Sequence, residues 1–530
     1  MSSSPASASS PPNRSTQALR AYAATLGFTG VTIVLGLWSN RVLYPLLGDE
    51  RFGAAKALTD WQSNLVILEF GLSGALAPML AQALARENPR QLAEVVSLGV
   101  RAYLVVVVAC VLAGLALLPL MDWLVPVAPE LASERFWAWM ILLAALPSLC
   151  ASPCRTLLDA RQLGWRVSLY LTAQAILIVG LMVLFASRGY GVAGQTAATA
   201  LGMLGFAVVV SIDAVRLLKR ETRRVHPPTT IDPDAEPPNR RELGRALRSL
   251  SLPTALLTIA GRLSLTTDIL VVSAVLGTSA VPVFFFTTRL PLLAQAQLQA
   301  VASASWAGLA QLAHQGRRDV FADRILELTR LTTILGVVAL VPIACFGREF
   351  VALWMNDSDG ALYAGTLAAS LSCANAWGIG LWSLWGWCFA GTGRPALTLK
   401  PALIGAGLNV ALSLILADRL GVIGPIWGTF LGLFVIQLPW MTRLLIHTFN
   451  VPSRFLLDSF LSPLALVPPL AAVCLGLRSL VPQPGWIALP LMMGSTALLG
   501  LALAWVLVVP EIQRRAWRQR LQGRFHRPTR

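Results

Sequence analysis

Apolar runs long enough to cross a bilayer, about twenty residues each, recur from one end of this chain to the other. Hydrocarbon holds no water to satisfy a backbone N–H or C=O, so such a run is stable there as a helix, which pairs its polar groups internally. Fourteen are read, at residues 21–43, 53–84 (with an interfacial end), 99–120, 136–157, 166–186, 191–217, 247–276, 281–312, 325–346, 361–390, 397–416, 420–446, 456–480 and 485–509. The expected fold is an all-α membrane protein of about fourteen transmembrane helices.

Composition agrees with that reading. Of 530 residues, 55% are hydrophobic and 13% charged, and mean hydropathy is +0.65, a balance foreign to soluble multidomain proteins. The net charge of +16 would suggest nucleic acid in a soluble domain. In a membrane chain it reflects arginines retained on the cytoplasmic side, so no nucleic-acid partner is expected. The cysteines (Cys110, Cys150, Cys154, Cys345, Cys373, Cys388, Cys474) lie in or beside apolar runs without the short paired spacing of a metal or redox site, and no metal or other cofactor is expected.

The hydrophilic stretches set the organisation. Residues 1–18, rich in Ser, Pro and Ala, read as a disordered cytoplasmic tail, and 19–217 as an N-terminal six-helix bundle. Residues 218–246, which include KRETRRVHPPTTIDPDAEPPNRREL, cannot cross a membrane and read as a cytoplasmic linker. Residues 247–446 form the second six-helix bundle, 447–510 the thirteenth and fourteenth helices, and 511–530 a basic cytoplasmic tail. With the N-terminus cytoplasmic, most Lys and Arg fall inside and the acidic loops around Asp122–Glu134 and Asp357–Asp359 fall outside. Both termini are therefore expected in the cytoplasm.

The chain also repeats itself. A shift of 229 residues aligns 46–95 with 275–324 without a gap, so that Leu47-Gly48 meets Leu276-Gly277, Thr59 meets Thr288, and Leu80-Ala81-Gln82 meets Leu309-Ala310-Gln311. A shift of 230 aligns GVAGQTAATALG (191–202) with GVIGPIWGTFLG (421–432), identical at six of twelve positions. Two distant windows in almost one register indicate duplication of a six-helix unit. Six helices return the chain to its starting side, so the halves should run parallel, related by a pseudo-two-fold axis along the membrane normal around a central cavity.

Particular motifs now bear on family. A first helix ending in LLGDERFG (46–53), a second ending in EFGLSGALAPMLAQALARENPRQ (69–91), a seventh reading LTTDILVVSAVLG (265–277), and the GVAG and GVIG openings, the latter after GLNVALSLILADRLG (407–421), resemble the polysaccharide transporter family. These are flippases for lipid-linked oligosaccharides, including O-antigen units, within the multidrug/oligosaccharidyl-lipid/polysaccharide exporter superfamily. The resemblance covers essentially the whole chain and rests on structural motifs. It implies a MATE-like fold of two bundles around a cationic aqueous cavity, with export of an undecaprenyl-diphosphate-linked oligosaccharide across the bacterial inner membrane by alternating access. It further implies coupling to H+ or Na+, and as partners the lipid-linked oligosaccharide, membrane lipids and the glycan polymerase machinery. A basic residue often found just ahead of LLG in the family is displaced here to Arg41.

Ionisable groups in a span are expensive and usually face a partner or water. Arg41, Lys56, Arg262 and Arg289 are the candidates for contact with the substrate's phosphates, since a guanidinium donates two parallel hydrogen bonds to phosphate. Asp60, Glu69 and Asp268 are the candidates for charge balance or ion coupling. The 229-residue register makes Asp60 and Arg289 equivalent, and a permanent Asp–Arg pair pinning helices is the alternative to a substrate contact. Trp38, Trp306 and Trp382 are candidates for stacking on sugar rings, against the alternative of an aromatic belt or lipid-facing packing.

No P-loop, paired catalytic carboxylates or triad is visible, so a transporter is expected in place of an enzyme. The rival readings are a lipid II flippase, a cation-coupled multidrug exporter, and a membrane-embedded glycan polymerase or ligase. The short outer loops count against the last.

Overall fold

A computed structural model of the chain describes residues 14–85, 89–224, 259, 261–262, 267–511 and 513–515. Every regular element among them is a helix. The chain divides into two compact units, Met1–Ile259 and Ala260–Arg530. The proposed 218–246 linker and basic tail lie largely outside the described residues, as does most of the seventh span.

In the first unit α1 (Arg14–Leu65) holds two expected spans, which meet at Gly48, where φ 73° and ψ 176° end one helix and start the next. The second span was expected unbroken over 53–84. Instead α1 stops at Leu65, a 3-10 turn covers Val66–Glu69, and α2 (Leu72–Ala85) starts afresh. Phe70 (φ 49°) and Gly71 (φ 68°) between them are left-handed, a geometry costing about 1–3 kcal/mol at a residue with a Cβ. Next come α3 (Pro89–Ala116), α4 (Ala132–Ala145), a 3-10 segment at Leu146–Ala151, and α5 (Ser152–Ala160). Pro147 lacks the N–H that a continuous α-helix requires and so interrupts the expected fourth span. The unit closes with α6 (Gly164–Ser187) and α7 (Gly191–Arg224). Its core is built on Trp139, Tyr103, Leu76, Leu142 and Leu157, all buried.

The second unit comprises α8 (Asp268–Leu276), α9 (Val281–His314), α10 (Arg318–Met355), α11 (Thr366–Gly391), α12 (Leu399–Leu420), α13 (Ile423–Leu431) and α14 (Leu438–Phe449). A π-turn at Gly432–Gln437 joins the last two. Helices α15 (Ser453–Leu464), α16 (Val467–Leu480) and α17 (Ala488–Leu503) make up the thirteenth and fourteenth spans. Among the described residues ten helices are long and apolar enough to cross a membrane. One of these, Ala23–Glu69, contains two spans, while α9 and α11 are equally long but diluted by glutamines or tryptophans. With the seventh span, of which α8 is the described end, this agrees with about fourteen.

The backbone carries the internal repeat. Gly48 and its equivalent Gly277 (φ 90°) turn the chain in the same left-handed way, as do Gly191 (φ 50°) and its equivalent Gly421 (φ 64°). Glycine alone among the residues adopts such angles freely. At Gly191 there is a second reason: a Cβ would lie 2.1 Å from Glu134 Oε2. That carboxylate accepts the Val192 N–H at 3.1 Å and pairs with Arg51 at 2.9 Å. The LLGDERFG and GVAG motifs therefore meet at one acid.

The thirteenth and fourteenth spans pack on α10. Ile334, Val337, Val338 and Val341 bury against Leu466, Leu470, Cys474 and Met492. An ion pair stands on either side of this apolar contact, Arg330 to Asp458 at 2.8 Å and Arg478 to Glu349 at 2.7 Å.

Gly424, Gly428 and Gly432 let the twelfth span lie directly on α12: a Cβ on Gly428 would stand 2.2 Å from Ser413 Oγ and 2.7 Å from its backbone N. Small residues at this spacing permit such close helix contact in membranes. Gly428→Val should lower the melting temperature of the detergent-solubilised protein by several degrees, since overpacking costs about 1–3 kcal/mol. Gly407→Ala, beside open space, should leave it unchanged.

Candidate functional site

The Gly48 turn folds the two halves of α1 together, and this assembles the first polar cluster. Lys56 Nζ donates to Asn40 Oδ1 at 3.2 Å and stands 5.1 Å from the centre of the Phe52 ring. Asp60 follows one turn later and interacts electrostatically with Lys56. Arg41, beside Asn40, is half-buried. Two expected site residues, Lys56 and Asp60, are thus neighbours in one unit. Trp38, in the same helix, is 51% exposed.

Glu69 stands at the break between α1 and α2. Its Oε1 accepts the Tyr103 hydroxyl at 2.5 Å and the Ser73 N–H at 3.0 Å. Tyr103 and Cys110 lie two turns apart on one face of α3, and Cys110 Sγ donates to Leu65 O at 3.2 Å. Side chains of α3 therefore satisfy groups that the interrupted helix leaves open.

In the second unit the sequence pointed to Asp268, and the structure adds partners to it. Thr429 Oγ1 lies 3.2–3.3 Å from both Asp268 carboxylate oxygens and 3.2 Å from Asn409 Oδ1. Ser413 Oγ lies 3.0 Å from the same Oδ1 and 3.4 Å from Pro425 O. Two hydroxyl protons are shared among a carboxylate, an amide oxygen and a carbonyl. The cluster is therefore rich in acceptors around a single acid. Oxygen ligands of this kind suit a hard cation, and a single carboxylate matches a monovalent one. The glycine stripe of the twelfth span creates this geometry, because only a close approach to α12 brings Thr429 to Asn409. Uncharged Asn409, Ser413 and Thr429 escaped a search for ionisable residues. An asparagine inside the apolar run GLNVALSLILADRLG was the available signal.

Arg289, in α9, is of another kind. Its guanidinium lies 5.5 Å from the Phe285 ring centre, and Nε is buried with no hydrogen-bond partner. No ion pair to it occurs among the described residues. Asp60 belongs to the first unit and Arg289 to the second. Arg262 is half-buried, beside residues outside the described set. Trp306 is 43% exposed and stands 5.9 Å from Trp387. Trp382 is half-buried against the apolar core of the second unit, and Trp385 is fully buried with Nε1 bonded to Thr329 Oγ1 at 3.0 Å.

Solved structures of similar fold exist at low sequence identity. An inward-facing multidrug resistance MATE family transporter of the MOP superfamily superposes with a TM-score of 0.65 at 16% identity, over 81% of this chain and 98% of that one. Lipid II flippase MurJ, in an inward closed conformation, superposes with a TM-score of 0.64 at 14% identity, over 92% of this chain and 98% of that one. A MOP superfamily transporter from Pyrococcus furiosus gives 0.58 at 17% identity, over 82% and 96%. No protein-family model and no curated protein matches the chain. The fold is that of MATE-like transporters.

Two arginines separate structural from free charge. Arg330 is buried and bonded to Asp458 and to Gln513 Oε1 at 3.1 Å, whereas Arg289 has no such partner among the described residues. Removing Arg330 deletes the hydrogen bonds by which a buried side chain ties α10 to the thirteenth span, while deleting an unpaired charge in a span removes a cost. Arg330→Leu should lower the melting temperature of purified protein, and Arg289→Leu should leave it unchanged or raise it.

Proposed function

We propose that this chain is a flippase that moves an undecaprenyl-diphosphate-linked oligosaccharide across the bacterial inner membrane by alternating access, driven by a cation gradient. Arg289 carries the reading. A guanidinium held in a spanning helix with no protein anion among the described residues is a strong binding site for an anionic ligand, and diphosphate matches its planar fork. Arg41, Arg262 and Lys56 are the further cations proposed to contact it. The resemblance of the motifs to the polysaccharide transporter family supplies the glycan.

The Asp268, Asn409, Ser413, Thr429 and Pro425 oxygens are proposed as the site of the coupling ion, on the strength of their convergence around one carboxyl group. Asp60 remains a proposed counter-charge to Lys56. Transport of the peptidoglycan precursor lipid II is the second reading. The superposition on MurJ over 92% of this chain supports keeping that reading, as the superposition on the MATE transporter over 81% keeps the multidrug one.

The test is glycan export in cells carrying Arg289→Ala or Arg289→Lys at equal protein level. Export should fall at least about tenfold with alanine, the scale of one lost charge-assisted hydrogen bond or more, and recover in part with lysine. Export that falls only as protein level falls would overturn the reading. Complementation of cells depleted of their own lipid II flippase would establish the second one. In parallel, Na+ should raise the melting temperature of the purified protein, and Asp268→Asn and Thr429→Val should abolish the rise. A rise unchanged in both variants would remove the ion from this site.

A further inference from the structure

The two six-helix repeats differ in two matched spans. In the first unit the second span gives way to a 3-10 turn at Val66–Glu69, and the fourth to a 3-10 segment at Leu146–Ala151. In the second unit the corresponding helices run without interruption, α9 over 34 residues and α11 over 26. The 229-residue register sets Glu69 opposite Leu298, inside α9, and Tyr103 opposite Thr332, whose buried hydroxyl has no partner. The polar groups at the interruptions thus have no counterpart in the other repeat.

Those groups tie both interruptions to one residue. Glu69 ends the first 3-10 turn and accepts from Tyr103 of α3 and from Ser73 N of α2. Ser152, the first residue of α5, interacts with the same Tyr103 phenol, as does the Ser73 side chain. Helix α3 itself is unbroken through Pro89–Ala116. Its Gly99 stands against both moving candidates: a Cβ there would lie 3.0 Å from Pro153 of α5 and 3.2 Å from Leu76 of α2. Short 3-10 stretches inside helices mark hinges, and backbone freed at such points needs side-chain partners in a membrane.

We propose that Glu69, Tyr103 and Ser152 form a latch, holding α2 and α5 against α3, and that its release lets these two segments swing together about residues 66–71 and 146–151. The first unit is then the one that flexes at these two points. The role of this motion in transport rests on the flippase reading, but the hinge does not.

Amide hydrogen exchange on the intact protein in nanodiscs tests it. Tyr103→Phe and Glu69→Ala should each raise exchange at both interruptions, at least about tenfold, the scale of one lost hydrogen bond to a charged group. Residues 132–142 and the second unit should be unchanged. Ser152→Ala, a milder change, should raise exchange at 146–151 and also at 66–71. A rise confined to the segment next to the substitution, a rise spread evenly over the first unit, or no rise would each overturn the latch. Because no substrate is present, failure of glycan export leaves the outcome unaffected, and an unchanged exchange pattern defeats the hinge even where export is found.

Discussion

A backbone in hydrocarbon must find every hydrogen bond within the protein, and the rest of this structure follows from that rule. It makes the chain all-helical. It also makes each departure from helix a place where side chains must step in. At the break after Leu65 they come from Glu69, Tyr103 and Cys110. At the start of α7 they come from Glu134. Polar side chains that would be expensive in a continuous helix are affordable where they replace lost backbone partners.

The same rule separates the two kinds of buried charge. Arg330 ends on the Asp458 carboxylate and acts as a fastener. Among the described residues Arg289 forms no ion pair, and Asp268 meets the Thr429 hydroxyl and no cationic side chain.

Much of this was legible in the sequence. The spans could be counted because a crossing length of apolar residues has no alternative reading, and the duplication because Gly48 and Gly277 must be glycine for the same conformational reason. Arg289 and Asp268 stood out as charges within apolar runs. The interruptions were harder. Val66–Glu69 has an ordinary helix-forming composition, and nothing local announces a left-handed Phe70; tertiary partners on α3 impose it. Pro147 did mark the second interruption, though the span was read through it. Asn409, Ser413 and Thr429 were hidden because their chemistry comes from being brought together, and that depends on a glycine stripe on another helix.

The clamp on the last two spans has a further consequence. Glu349 follows Arg330 by 19 residues on one helix, about 28 Å of helical rise. A typical hydrocarbon layer is about 30 Å thick. The two ion pairs therefore stand a bilayer apart, with the apolar seam of α10, α16 and α17 between them, and act as a gauge of membrane thickness. In a bilayer of mismatched thickness the helices could not answer by tilting independently, because both ends are tied. The lipid would have to deform around the second unit, or the unit tilt as a whole.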